Sequence, residues 1–239
     1  MRKKNNFGYI EYLSEIMINP NTSYKNNGEV FECSENSKNS LSKLCFYLSN
    51  GIESKKRSMP RYVGHGAFGT VYIIPVGRES VAIKHVEIYS ESARINFEKE
   101  IKYQIAISEL PNKEGVRIAP KVYDYFYCKC NDKVYGTFIM EYLGDYNRDY
   151  QIYHNINNQN LPQSYLDQIL PPLKQKINNI IDIVVSKYNL NIADFQIMIK
   201  NDLSDVKVID LGLAKNIPFG EDKEEIKQAM RDRIFLLDL

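Results

Sequence analysis

The residues best suited to chemistry begin at Tyr62-Val63-Gly64-His65-Gly66-Ala67-Phe68-Gly69-Thr70-Val71-Tyr72, where three glycines fall at G-x-G-x-x-G spacing. Glycine lets a backbone turn tightly and approach a phosphate with no Cβ in the way. A second run, Val81-Ala82-Ile83-Lys84, is apolar and ends in an ammonium group. A third, Val206-Lys207-Val208-Ile209-Asp210-Leu211-Gly212, is strand-like and ends in a carboxylate followed by a glycine two residues on. Val63, Val71, Tyr72, Ile73 and Ile74 favour strands, so the glycines are expected to cap a hairpin.

That expectation separates two readings of the glycines. A dinucleotide-binding G-x-G-x-x-G follows a strand and opens a helix. Here the third glycine runs into Thr70-Val71-Tyr72-Ile73-Ile74, which reads as a strand. With Phe68 in the loop, Val71 two residues after Gly69, and Val-Ala-Ile-Lys behind, the stretch resembles the nucleotide-binding half of a eukaryotic-type protein kinase. The alternative is a glycine-rich β-hairpin with an incidental lysine.

Composition sets the background. The 239 residues are 44% apolar and 26% charged, which fits an ordinary globular protein. A formal net charge of +1 gives no polyanion-binding signature, so nucleic acid is not expected as a partner. Arg2-Lys3-Lys4 has no apolar stretch behind it, so no secretory signal is read. No run is long and apolar enough to span a membrane. The expected compartment is the cytoplasm, or a host's cytosol were the chain viral or an effector. Cys33, Cys45, Cys128 and Cys130 are not expected to form a disulfide framework in a chain of this length. Cys128-Lys129-Cys130 has no second pair at zinc spacing and reads as strand residues beside a turn. The sequence carries no sign of oligomeric state.

The elements that must position these residues come next. Residues 1–60 read as a polar extension, with turn signals throughout. Two short helices are expected there: Tyr9 to Ile18, with Ile10, Leu13, Ile16 and Met17 on one face, and Leu41 to Leu48, with Leu41, Leu44, Cys45 and Leu48. A loosely attached segment is the plainer reading of this region. After Lys84, Ser90-Glu91-Ser92-Ala93 looks like a helix start, and Phe97, Ile101 and Ile105 make a core face. Strands over Ile118–Cys128 and Val134–Leu143, turning at Asn131-Asp132, form a hairpin. Residues 145–161 show no strong element. Pro171-Pro172 is expected to start a helix through Tyr188, with Leu173, Ile177, Ile180, Ile181, Val184 and Val185 inside. A hairpin of Gln196–Lys200 and Val206–Ile209 leads into Asp210. Glu221 to Leu237 reads as an amphipathic helix with Ile226, Ala229, Met230, Arg233 and Leu237 along its stripe.

What the kinase resemblance implies is specific. The fold would be α+β with two lobes: a five-stranded antiparallel small lobe over 61–144 and a reduced, mostly helical large lobe over 145–239. The cofactors would be ATP and Mg²⁺. Val63, Gly64, Gly66, Phe68, Gly69 and Val71 would cover the nucleotide, and Ala82, Met140, Glu141 and Leu143 would surround its base. Lys84 would hold the phosphates, and a helix glutamate, Glu100 in preference to Glu98, would hold Lys84. Asp-Leu-Gly at 210–212 resembles the family's Asp-Phe-Gly, so Asp210 would carry Mg²⁺.

The resemblance departs at the catalytic loop. The family's His-Arg-Asp-x-x-x-x-Asn corresponds here to Asn189-Leu190-Asn191-Ile192-Ala193-Asp194-Phe195-Gln196. Asn191 falls where the base aspartate belongs, and asparagine cannot accept a hydroxyl proton. Gln196 falls where the metal-binding asparagine belongs. Either Asp194 supplies the carboxylate from a displaced position, or the chain binds nucleotide without transfer. No Ala-Pro-Glu motif follows Gly212, as in compact kinases such as RIO-like proteins and truncated viral or effector kinases. Two functions stand side by side: a Ser/Thr protein kinase acting on a protein substrate, and a pseudokinase that regulates a partner protein.

Overall fold

The computed structural model describes residues 8–19, 26–52, 59–66, 69–109, 117–144, 150–152 and 163–235. The chain is α+β and divides into two units, one of Met1–Ile101 with Val122–Tyr142 and the other of Lys102–Lys121 with Leu143–Leu239. Among the described residues no helix is long and apolar enough to cross a membrane.

The first unit contains α1 (Gly8–Ile18), β1 (Val30–Glu32), α2 (Ser40–Ser49), β2 (Arg61–Gly66), β3 (Gly69–Val76), β4 (Glu79–Glu87), the start of α3 (Glu91–Glu109), β5 (Val122–Cys130) and β6 (Lys133–Glu141). The strands form one sheet in the order β1-β5-β6-β4-β3-β2. Neighbours from β2 to β5 are antiparallel, while β1 pairs parallel with β5. The sheet is therefore mixed and six-stranded, where five antiparallel strands were expected. The sixth comes from the segment read as a loose extension. Tyr9, Leu13 and Ile16 of α1 and Leu41, Leu44, Cys45 and Leu48 of α2 are buried in one core with Ile74, Val81, Ile83, Phe126 and Ile139. The apolar helix faces were legible; what they cover was not, because a helical stripe does not name its partner. Asn39 starts α2 by accepting from the N–H groups of Leu41 and Ser42 at 2.8 and 3.2 Å.

Two buried polar groups fasten this core. Asp124 is fully buried and accepts from the Tyr12 hydroxyl, from both the backbone N–H and Nδ2 of Asn26, and from the Tyr125 N–H. His85, on β4, lies between Ser49 Oγ at 3.1 Å from Nε2 and Thr137 Oγ1 at 2.8 Å from Nδ1. Its ring stacks on Tyr135, centroids 4.5 Å apart.

The cysteine expectation is overturned. Cys33 pairs with Cys130 and Cys45 with Cys128, Cα atoms 4.9 and 5.4 Å apart, leaving no free cysteine. The partners lie 97 and 83 residues apart in sequence and meet only once the N-terminal segment packs on β5. The C-x-C does sit in a strand beside a turn.

The second unit holds β7 (Tyr150–Ile152), α4 (Gln163–Asp182), a π-helical turn (Ile183–Lys187), β8 (Leu190–Ile192), β9 (Gln196–Lys200), β10 (Val206–Ile209), β11 (Ala214–Asn216) and α5 (Lys223–Phe235). Strands order as β10-β9-β7 and β11-β8. The expected hairpin is present, and β7 adds a strand where none was read. α4 starts at Gln163, not at the prolines, which lie inside it. Each proline lacks the N–H that an α-helix would donate to the carbonyl one turn earlier, those of Asp167 and Gln168. Both residues are exposed. In α5 the buried stripe is Lys227, Met230 and Ile234, flanked by Ile226; Ala229 and Arg233 are exposed rather than part of it, and Leu237 lies outside the described residues.

Burial holds the His85 pKa down, from 6.5 to about 3. The unfolded chain therefore binds a proton that the folded one refuses between those values, and stability falls as pH drops through that window, by up to about 1.4 kcal/mol per unit. Chemical denaturation of His85→Gln is expected to show a flatter decline between pH 6.5 and 4 than the parent; parallel curves would exclude this role.

Candidate functional site

The register divides the first unit's sheet into two faces, because cross-strand partners point to the same side. Val81, Ile83 and His85 of β4 face the core made with α1 and α2. The alternate residues Ala82 and Lys84 face the other way. Lys84 is paired with Val71 and Phe138, Ala82 with Ile73 and Met140, and Val71 with Gly64. Four residues picked out by sequence, Val71, Ala82, Lys84 and Met140, thus share one face with Gly64.

Helix α3 runs along that face. Ser90 Oγ accepts the Ala93 N–H at 3.1 Å and sets the helix start. Phe97 then packs against Phe138 and Tyr127, centroids 6.1 and 5.7 Å away. Its ring fills the space over Gly136, where a Cβ would come within 2.6 Å of it. One turn on, Glu100 reaches Lys84, Oε1 to Nζ 2.5 Å, both side chains under a tenth exposed. The Lys84 ammonium also lies 6.0 Å from the Phe138 ring centroid. Glu98 instead accepts the Tyr127 hydroxyl at 2.8 Å. Gly136 was missed in the sequence; an isolated glycine inside a strand pattern is the signal for such close approach.

The glycine hairpin caps β2 and β3, with Gly66 opposite Gly69. Ala67 and Phe68 lie outside the described residues. The three glycines have different reasons. Gly69 has φ +116° and a Cβ there would strike the His85 carbonyl oxygen at 2.7 Å, so it is needed for the fold. Gly64 and Gly66 have nothing within 4 Å of where a Cβ would stand. Their backbone is open to a ligand that comes close. His65 Nδ1 lies 2.9 Å from Thr70 Oγ1 and braces the strands beside the turn. A bulge between Tyr62 and Gly64 leaves Val63 half exposed. Met140 is partly buried, Glu141 nearly fully.

In the second unit Asp210 follows β10 with φ 55°, a left-handed conformation that side chains adopt rarely and mostly where it is over-determined. Leu211 is buried in the core and anchors the turn. Leu143 is buried, and its carbonyl accepts the Tyr150 N–H at 3.1 Å. The catalytic-loop stretch forms β8 and its flanks. Asn189 has φ 56° and its Nδ2 donates to the Ile217 carbonyl at 2.8 Å. Asn191 pairs with Lys215 in the β8–β11 ladder. Asp194 is exposed and accepts from Gln196 Nε2 at 3.0 Å. Arg233 of α5, unread as a site residue, donates to the carbonyls of Ile192 and Ala193 at 3.2 and 2.9 Å and so holds the residues before Asp194.

No protein-family model matches the chain, and no curated protein matches its sequence.

Removing one partner of a buried ion pair leaves a charge with neither water nor counter-charge, at a cost of about 3–5 kcal/mol. Glu100→Ala is expected to lower unfolding stability by that order. Glu98→Ala, which removes one hydroxyl's acceptor, is expected to cost about 1–3 kcal/mol. Equal losses in urea denaturation would contradict the assignment of the Lys84 partner.

Proposed function

We propose that the chain is a protein-kinase-like phosphotransferase of reduced size that binds ATP with Mg²⁺ and transfers the terminal phosphoryl group to Ser or Thr of a protein. The observation that carries this reading is the buried Lys84–Glu100 pair on the sheet face that begins at the open Gly64 backbone. A lysine kept immobile beside an uncovered glycine backbone suits phosphate oxygens.

The roles follow from the chemistry of each group. The N–H groups and open backbone of the glycine hairpin cover the phosphates, and Lys84 binds their oxygens, oriented by Glu100. Asp210 and the carbonyl oxygen of Gln196 are the oxygen ligands offered to Mg²⁺. The donor set fits: Gln196 turns its N–H toward Asp194, so its oxygen points elsewhere. Bound Mg²⁺ supplies neutralisation of the charge that develops on the transferred group. Asp194 accepts the proton of the substrate hydroxyl, and Arg233 steadies the backbone before it. Ala82 and Met140 border the base with their side chains; Glu141, whose side chain shares the other face with Val81, and Leu143 border it through their backbone.

A second reading, a nucleotide-binding pseudokinase that regulates a partner, is favoured by one observation. Asn191, at the position of the expected base, is a rung of the β8–β11 ladder, and the exposed Asp194 is engaged by Gln196.

Incubation with radiolabelled ATP, Mg²⁺ and a mixed protein acceptor separates the readings. Label transfer is expected, with Asp210→Ala inactive and Asp194→Asn reduced by about 10²–10⁴-fold, the value of a positioned base. ATP-dependent thermal stabilisation with no transfer would establish the pseudokinase reading instead.

A further inference from the structure

On the sheet face opposite Lys84, the two disulfides meet a shared polar set. Cys128 and Cys130 alternate with Lys129 on β5 and point to the same side. Cys45 and Cys128 are fully buried, and Cys130 nearly so. Cys33, which follows edge strand β1, is only partly covered. Ser49 Oγ lies 2.9 Å from Cys130 Sγ, 3.9 Å from Cys33 Sγ and 3.1 Å from His85 Nε2. Thr137 Oγ1 lies 2.8 Å from His85 Nδ1 and 3.4 Å from Cys128 Sγ.

Counting protons assigns these contacts. Neutral His85 has one N–H, and each hydroxyl has one O–H. The set makes four close contacts: His85 with each hydroxyl, Ser49 with Cys130, and Thr137 with Cys128. A disulfide sulfur brings no proton, so one contact must go without. The longest is Thr137 to Cys128. The remaining protons then fall in order: Thr137 O–H to His85 Nδ1, His85 Nε2–H to Ser49, and Ser49 O–H to Cys130 Sγ. The hydroxyl proton therefore points at one sulfur of the accessible bond, the one that leaves when the other is attacked.

We propose that Cys33–Cys130 is a thiol-exchange site for low-molecular-weight thiols of the cysteine type, with Ser49 receiving the departing Cys130 sulfur and Cys45–Cys128 as the closed structural bond beside it. A thiolate attacks Cys33 Sγ, on the less buried residue of the bond. The Cys33–Cys130 bond breaks, and a mixed disulfide forms on Cys33. Cys130 leaves as a thiolate carrying the electron pair and accepts the Ser49 hydroxyl hydrogen bond. A second thiolate attacks the mixed disulfide, releasing the oxidised small molecule and the Cys33 thiolate. Two thiols are oxidised and one protein disulfide is reduced. Good leaving groups and an accessible sulfur both speed such exchange. The opened bond removes the covalent tie between the end of β1 and β5, leaving the parallel pairing of Val30, Phe31 and Glu32 and the Cys33 N–H to Lys129 carbonyl hydrogen bond, while α2 stays fastened by Cys45–Cys128.

The test uses the full chain, first equilibrated with oxidised glutathione and then exposed to reduced glutathione. Samples are quenched with iodoacetamide and mapped by peptide mass spectrometry. Glutathione is expected on Cys33 first, followed by alkylation of Cys33 and Cys130, with Cys45 and Cys128 unlabelled until denaturant is added. Ser49→Ala is expected to slow the first step about tenfold, the worth of one hydrogen bond to a charged sulfur. A fold check by circular dichroism accompanies it. Glutathione on Cys130, earlier opening of Cys45–Cys128, release of all four thiols together, failure of the bonds to form, or one tightly held zinc per chain would each overturn the proposal.

Discussion

A lysine ammonium and a glutamate carboxylate held against each other out of water govern the first unit. Neither charge tolerates that environment alone, and the desolvation of both is offset only by close contact and surrounding hydrogen bonds. The geometry therefore has to be imposed from outside the pair. It is imposed by Phe97, which lies over Gly136 and fixes how α3 crosses the sheet, so that Glu100 arrives where β4 presents Lys84. The arrangement is costly as a way to stabilise a fold and well suited to keeping an ammonium group in one place.

The sheet works as a partition. On one side stand Lys84, Ala82, Val71 and Met140 beside the open glycine backbone. On the other stand His85, the cysteines and the cores of α1 and α2. Adjacent residues on β4 serve the two sides, and only a glycine fits at position 69 of β3, beside the His85 carbonyl. The N-terminal segment is thus part of the scaffold that sets the position of Lys84, held by α1, α2, the β1 pairing and the two disulfides. Disulfides belong to oxidising surroundings, which sits uneasily with a cytoplasmic expectation and gives the accessible bond its interest.

The sequence was most informative where local chemistry decides structure. Glycine spacing and β-branched flanks gave the hairpin, and period-four apolar residues gave α1, α2 and α3. The helical repeat from Phe97 to Ile101 put both Glu98 and Glu100 at the edge of the core face, and only the kinase resemblance favoured Glu100 as the partner of Lys84. It was silent where distant segments decide. The parallel strand β1 has three residues and no pattern of its own. Cys33 and Cys130 become neighbours only after the chain has folded. The prolines of α4 looked like a helix start because proline is best tolerated in a first turn, whereas here they lie inside the helix where the preceding turn is exposed. Asp194 and Asp210 were legible as residue types; the left-handed backbone at Asp210 and the Arg233 contacts behind Asp194 were not.

The central claim is that the Lys84 face of the sheet holds nucleotide phosphates. Calorimetric titration with Mg²⁺ and ATP tests it most directly, comparing the parent chain with Lys84→Met/Glu100→Gln, which removes both charges and leaves neither stranded. Saturable binding below millimolar ATP in the parent and its loss in the paired variant are predicted. Binding of equal strength in both, or no heat in either at millimolar concentrations, would contradict the account.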